Sequence, residues 1–134
     1  MKKTHQGSCH CGAVRFEVDV DLDAGTSRCN CSFCSKDRSW GTLAKPEDFR
    51  LVSGANSLSD YQFGTFSGHH RFCSRCGVHV FGEGEVEALG GAFVSIQVAT
   101  LDDLGQAELA ALPILYQDGR NDNWWNVPEE TRHL

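Results

Sequence analysis

Seven cysteines in 134 residues fall into three tight groups, and no other feature restricts the fold as strongly. The groups are "CHC" (Cys9, Cys11), "CNCSFC" (Cys29, Cys31, Cys34) and "CSRC" (Cys73, Cys76). An odd count fits a full disulfide framework badly, and a reducing compartment would leave such thiols free, so the pattern points first to metal. A Cys-x-x-Cys-Gly turn is a zinc knuckle: two thiolates converge and the glycine, here Gly77, permits the tight backbone. A knuckle supplies two ligands and needs a second pair from far away. "CHC", which Gly12 follows, is the obvious candidate. Two plus two closes a four-thiolate site that stabilises the fold and leaves no place for chemistry. That division leaves Cys29, Cys31 and Cys34. Three protein ligands with an exchangeable fourth position is the usual pattern of a catalytic zinc.

Other readings of the trio stay open at this point. The chain could bind one zinc, with "CNCSFC" spare or redox-active. A histidine could close the second site, from among His5, His10, His69, His70, His79 and His133. Of these, His79 reads as packed on a strand, His69 and His70 as a solvated polar pair, and His10 as pointing away from its neighbours' metal. A Cys29–Cys34 disulfide would need an oxidising compartment.

Around the cysteines the pattern is mainly β. "AVRFEVDV" alternates, with Val14, Phe16, Val18 and Val20 on one face and Arg15, Glu17 and Asp19 on the other. "FRLVSG" and "DYQFGTF" read as strands separated by the turn "GANS", and "HHRFCSRCGVHVFG" as a hairpin with the cysteine pair at its tip. "AFVSIQVAT" is β-branched and strand-like, and "LPILYQDG" reads as a last strand. "TLDDLG" predicts a short helix capped by Thr100 and stopped by Gly105. No long amphipathic helix is expected, and many of the 14 glycines fall at turns.

A formal net charge of -6 argues against a nucleic-acid partner, which would call for a basic face. The N-terminal "MKKTHQGSCHCG" lacks the apolar stretch of a signal peptide, and no apolar run approaches the ~18–20 residues of a membrane span. The expectation is one zinc-binding domain over residues 1–134, cytoplasmic, with no membrane partner.

"GSCHCGAVRFEV", "CNCSFCSK" and "FCSRCGVHVF", in that order, resemble the glutathione-dependent formaldehyde-activating enzyme family, which includes a centromere-associated branch. The resemblance runs from about Gly7 to Val98. It implies Cys9, Cys11, Cys73 and Cys76 as structural zinc ligands and Cys29, Cys31 and Cys34 as catalytic zinc ligands. It implies the family's β-tent fold of short antiparallel sheets around two zinc sites. The activity it implies is addition of glutathione to formaldehyde, giving S-hydroxymethylglutathione, a carbon–sulfur lyase reaction in reverse. One departure is that Ser35 stands where many relatives carry the first residue of a basic pair after the third cysteine; Lys36 remains.

The ligand chemistry points the same way independently. Zinc with three thiolates carries a formal charge of -1 and is a weaker Lewis acid than zinc on three imidazoles, which disfavours hydrolysis. It suits a fourth thiol, which coordination deprotonates while leaving it nucleophilic. Lys36 reads either as a proton donor or carboxylate anchor, or as a solvated surface lysine. Ser32 and Ser35 read as hydrogen-bond partners of the sulfurs or as turn residues, and Phe33 and Trp40 as pocket walls or core. In "DGRNDNWWNVPEE", Arg120 and Trp124 read as a substrate-binding rim, or as a tail that packs a tryptophan while Arg120 pairs with an acid. A zinc-stapled binding module and a thiol redox or metal-buffering protein are the competing functions.

Overall fold

A computed structural model describes all 134 residues, Met1–Leu134. The chain is mainly β, in two sheets with two short helices. The smaller sheet has the order β1-β2-β5, from β1 (Lys3–Ser8), β2 (Arg15–Val20) and β5 (Phe49–Ser53). The larger has the order β10-β3-β4-β9-β8-β7-β6. Its strands are β3 (Thr26–Cys29), β4 (Gly41–Ala44), β6 (Leu58–Tyr61), β7 (His69–Cys73), β8 (His79–Val86), β9 (Gly91–Gln97) and β10 (Ile114–Gln117). All pairings are antiparallel except β10 with β3, whose parallel register sets Gln117 beside Cys29. The helices are α1 (Ser32–Asp37) and α2 (Gln106–Ala111).

The alternation read in β2 is the alternation that packs. Phe16, Val18 and Val20 are buried, together with Val14 before the strand. They meet Val80, Phe81, Val94, Ile96 and Val98 of the larger sheet in one core. Phe49 ties the sheets together, with its ring 5.5 Å from Phe16 and 4.6 Å from Phe81. Cys9 and Cys73 belong to this core, so one cysteine group sits at its end.

Several features differ from the sequence reading, which assigned neither β3 nor β4 and neither helix. The strand β1 was not expected, because its inward positions are His5 and Gly7 rather than large apolar residues. Phe16 fills the room that Gly7 leaves: a Cβ there would lie 2.2 Å from the Phe16 ring. "TLDDLG" is not a helix. The Thr100 hydroxyl donates to the Gln97 carbonyl instead of capping, and Gly105 begins α2 instead of ending a helix. The acidic pair is used sideways: Asp102 accepts from the Ser8 hydroxyl at 2.6 Å, and Asp103 accepts from the Gln6 amide at 3.3 Å and lies 3.2 Å from His5 Nδ1. Both carboxylates thus fasten the β1 edge. "DYQFGTF" ends as a strand at Tyr61, after which the chain turns.

Candidate functional site

The seven cysteines are free thiols gathered in two groups, Cys9/Cys11/Cys73/Cys76 and Cys29/Cys31/Cys34, each with its sulfurs within 4.8 Å of one another. Either group could hold a metal ion.

The four-sulfur group joins the β1–β2 turn to the β7–β8 turn. Gly12 and Gly77, each following the second cysteine of its pair, have φ of +80° and +78°, a conformation that side chains other than glycine resist. Cys9 Sγ lies 3.7 Å from Cys11 Sγ, which lies 3.7 Å from Cys73 Sγ. The edge of a tetrahedron with metal–sulfur bonds of about 2.3 Å is about 3.8 Å, so the donor set and its spacing fit a tetrahedral ion. Backbone amides already favour negative sulfur: Val14 N–H donates to Cys9 Sγ at 3.3 Å and Arg75 N–H to Cys73 Sγ at 3.4 Å. Cys76 is held down at about 6, chiefly by backbone amides at Cys11 and Val78. For Cys11 the Ala13 amide acts to lower the pKa, yet burial and the neighbouring sulfurs outweigh it and push the thiol up to about 11. Sulfurs crowded this way share protons that a cation would displace.

The three-sulfur group is built on β3, the loop after it and α1. Cys29 ends β3 and Cys31 is the N-cap of α1. Cys31 N–H donates to Cys29 Sγ and Cys34 N–H to Cys31 Sγ, each at 3.3 Å. Hydrogen bonds from the Cys29 and Cys34 thiols pull Cys31 down to about 2, while Cys34 is pushed up by Cys29, Cys31 and burial. No histidine nitrogen joins either group.

The C-terminal segment closes one side of the trio. After β10 the chain turns through Gly119–Asn121, and Arg120 grips the loop between two of the cysteines. Its backbone N–H donates to Asn30 Oδ1 at 2.9 Å and its Nε to the Asn30 carbonyl at 3.1 Å. Asn30 Nδ2 donates in turn to Asp118 Oδ1 at 2.9 Å, and that hydrogen bond, with those from Asn121, holds Asp118 below the usual carboxylate range. Arg120 thus pairs with no acid; its guanidinium tip stays exposed beside Cys29–Cys31. Trp124 lies against the same corner. A Cβ on Gly119 would meet Trp124 Cη2 at 2.5 Å and Cys29 Sγ at 2.6 Å. We therefore expect Gly119→Ala to displace one or the other, at a cost of about 1–3 kcal/mol, and to reduce metal held by the trio but not by the four-sulfur group. Metal analysis alongside thermal melting checks both parts.

The remaining sequence-predicted residues separate. Lys36 is exposed in the last turn of α1. Ser35 does not serve a sulfur: its hydroxyl donates to the Asn30 carbonyl at 2.9 Å, and Ser32 is exposed. The sulfurs are served by backbone amides instead. Trp40 packs against the core. Its indole N–H donates to Thr26 Oγ1 at 2.8 Å and the Arg28 guanidinium covers its ring at 5.0 Å. Phe33 does line a cavity, stacked 4.0 Å from His70, which is half-buried rather than solvated. His69 pairs with Asp60 at 2.7 Å. Asn30 is the residue that sequence reasoning missed; lying between two cysteines, it gave no signal of its own.

The model of the glutathione-dependent formaldehyde-activating enzyme family matches residues 4–117. The chain belongs to this family. A relative in Halomonas elongata, provisionally named a glutathione-dependent formaldehyde-activating enzyme, is 42% identical over 79 residues. That match covers 53% of this chain and 50% of the relative, so the chain spans about half the relative's length. A crystal structure of a Rhodobacter sphaeroides protein is similar at a TM-score of 0.69 and 34% identity, covering 82% of this chain and 99% of that one. For a member of this family, all three motifs that carried the sequence resemblance lie within the matched residues. No helix of the chain is long and apolar enough to cross a membrane.

Proposed function

We propose that the chain is a zinc-dependent carbon–sulfur lyase-type enzyme that adds glutathione, or a similar small thiol, to formaldehyde or another small aldehyde, and that residues 1–134 form one cytoplasmic domain with the family's β-tent fold. The carrying observation is the unequal pair of sulfur groups. One offers a full tetrahedral donor set; the other offers three donors, with no histidine among them. In this reading Cys9, Cys11, Cys73 and Cys76 hold a structural zinc, and Cys29, Cys31 and Cys34 hold a catalytic one. When bound there, zinc supplies an acceptor for a thiol sulfur and keeps it deprotonated and nucleophilic at neutral pH.

The chain's own residues do the rest. Arg120 fixes the Asn30 loop through its Nε and turns its remaining donors outward, a planar fork suited to a carboxylate of glutathione. Trp124 offers a flat apolar wall beside Cys29. Lys36 provides a second cation on the exposed face of α1. The N–H groups of Cys31 and Cys34 hold their neighbouring sulfurs as acceptors, which keeps the trio's geometry set.

Metal counting tests the reading. Two zinc ions per chain are expected, with the trio's zinc lost first to a chelator and adduct formation lost with it. Acid should speed that loss. Cys29 and Cys34 both have raised thiol pKa values, the first chiefly through Cys31 and the second through Cys29 and Cys31, so each must shed a proton to bind metal and regains it as pH falls. A protein that forms adduct at full rate with one zinc per chain would defeat the proposal.

A further inference from the structure

His79 Nε2 is buried and has no hydrogen-bond partner, the one buried side-chain nitrogen or oxygen of the chain in that condition. Such atoms are rare in native proteins because the lost hydration is not replaced. The other ring nitrogen, by contrast, has two neighbours that ask for opposite tautomers. Nδ1 lies 2.8 Å from Asp37 Oδ2 and 3.1 Å from Gln97 Nε2. Trp40 N–H donates to Gln97 Oε1 at 3.1 Å, which turns the amide's NH2 toward the histidine. Asp37 also accepts from the Ser39 hydroxyl. Burial acts to raise the Asp37 pKa, but the His79 and Ser39 hydrogen bonds outweigh it and the group stays below the carboxylate range. The Gln97 NH2 can only donate and calls for a lone pair at Nδ1, but the ionised carboxylate can only accept and is nearer, and this charge-assisted bond assigns the ring hydrogen to Nδ1. Neutral His79 therefore holds a bare lone pair at Nε2.

The surroundings are those of a pocket. A cavity of about 230 Å³ is lined by Phe33, Asp37, Tyr61, His70, Phe72, Gly77 and His79. The stacked rings of Phe33 and His70 stand edge-to-face with His79 at 5.7 and 5.9 Å. Tyr61 and Phe63 extend the stack beyond Phe33, at 6.0 and 5.8 Å. The cavity shares α1 with the sulfur trio: Phe33 lies between Cys31 and Cys34 in sequence, and Asp37 ends the helix one turn after Cys34. Nε2 is sealed from solvent, so a substrate reaches it only when a neighbouring ring moves, and water does not compete meanwhile.

We propose that His79 is the acid–base group of the thiol addition, with Nε2 as its working atom, and that this cavity receives the carbonyl compound. The inference rests on the functional reading above. The proton that the thiol sheds on binding passes to Nε2. The sulfur's electron pair forms the new carbon–sulfur bond as the carbonyl π pair moves onto oxygen, and the proton on Nε2 then passes to that oxygen. One thiol and one aldehyde give one hydroxyalkyl thioether, His79 returns to its neutral form, and nothing is oxidised or reduced. Asp37 is a positioning residue that keeps the Nδ1 hydrogen in place and steadies the ring while it is charged.

Adduct formation from glutathione and ¹³C-formaldehyde, followed by NMR exchange in the zinc-loaded protein, tests this. His79→Gln should lower kcat by about 100-fold or more, leave KM for glutathione within a few-fold and leave two zincs bound. A base must be unprotonated, so over the pH range in which both zincs stay bound wild-type activity should fall towards the acid side, and His79→Gln should lose that dependence. The titratable groups around His79 are Asp37 on α1, His70 on β7 and Tyr61 on β6, with the Cys31 sulfur acting on His70; Gln97 on β9 is neutral. His70→Phe, which keeps an aromatic ring in the stack, should therefore retain the acid limb. Ring ¹⁵N shifts of the wild-type protein give a reading independent of activity: neutral His79 should carry its hydrogen on Nδ1, and Asp37→Asn should move part of it to Nε2. Full activity in His79→Gln, or a hydrogen on Nε2 in the neutral wild-type ring, would overturn the inference alone. Wild-type protein that forms no adduct with both zincs bound would overturn the functional reading and this inference together.

Discussion

Cys73→Ser is expected to yield a chain that does not fold. Cys73 is fully buried, belongs to the hydrophobic core, and lies 3.7 Å from Cys11 Sγ in the four-sulfur group. Binding of a structural zinc contributes about 10–16 kcal/mol in small zinc domains, while a domain of ordinary size is stable by only about 5–15 kcal/mol. Losing one of four thiolates need remove only part of that binding energy to exceed the whole margin. The serine hydroxyl worsens matters, since it would sit in an apolar core beside three sulfurs. The expected observations are insoluble expression, or a soluble chain without a cooperative melt or dispersed amide resonances. A Cys73→Ser protein that melts like the wild type would mean that the group does not support the fold.

Cys31→Ser should have the opposite profile, with the fold kept and the activity lost. Cys31 is half-buried, and α1 buries none of its residues. Serine is a favourable helix N-cap, so its hydroxyl can accept the Cys34 N–H in place of the sulfur and the helix start survives. What disappears is the thiolate held most strongly in its charged form. Changes merely adjacent to a metal ligand cost roughly 10–100-fold in affinity or activity, and removal of a ligand should exceed that. One zinc per chain, a melting temperature within a few degrees of wild type and no detectable adduct formation are the expected results. If Cys31→Ser and Cys73→Ser unfold alike, the two sulfur groups do not divide the work as argued.

The contrast between these variants was readable before any coordinates, because it depends on spacing. Pairs separated by one or two residues and followed by glycine announce themselves, and the alternation of Val14, Phe16, Val18 and Val20 located the core face. The polar partners of the site were less legible. Asn30, Asp118 and Arg120 meet across about 90 positions of chain, and nothing local in their sequence marks that meeting. The strand β1 hid because His5 and Gly7 face inward, and Asp102 and Asp103 misled because carboxylates that bind a strand edge look like those that start a helix. His79 shows the same limit. A histidine on a strand reads as packing, and only the approach of Asp37 from α1 and Gln97 from β9 distinguishes its two nitrogens.

The lone parallel pairing carries a consequence for how the molecule matures. Strand β10 must cross back to lie along β3 before Gly119, Arg120 and Trp124 can settle around Cys29. Contacts of such long sequence separation form late and slowly. In order of synthesis the trio's sulfurs are complete at residue 34 and the four-sulfur group at residue 76, whereas the residues that close over Cys29 follow only at 119–124. The three sulfurs that are complete first in synthesis are thus the last to be covered.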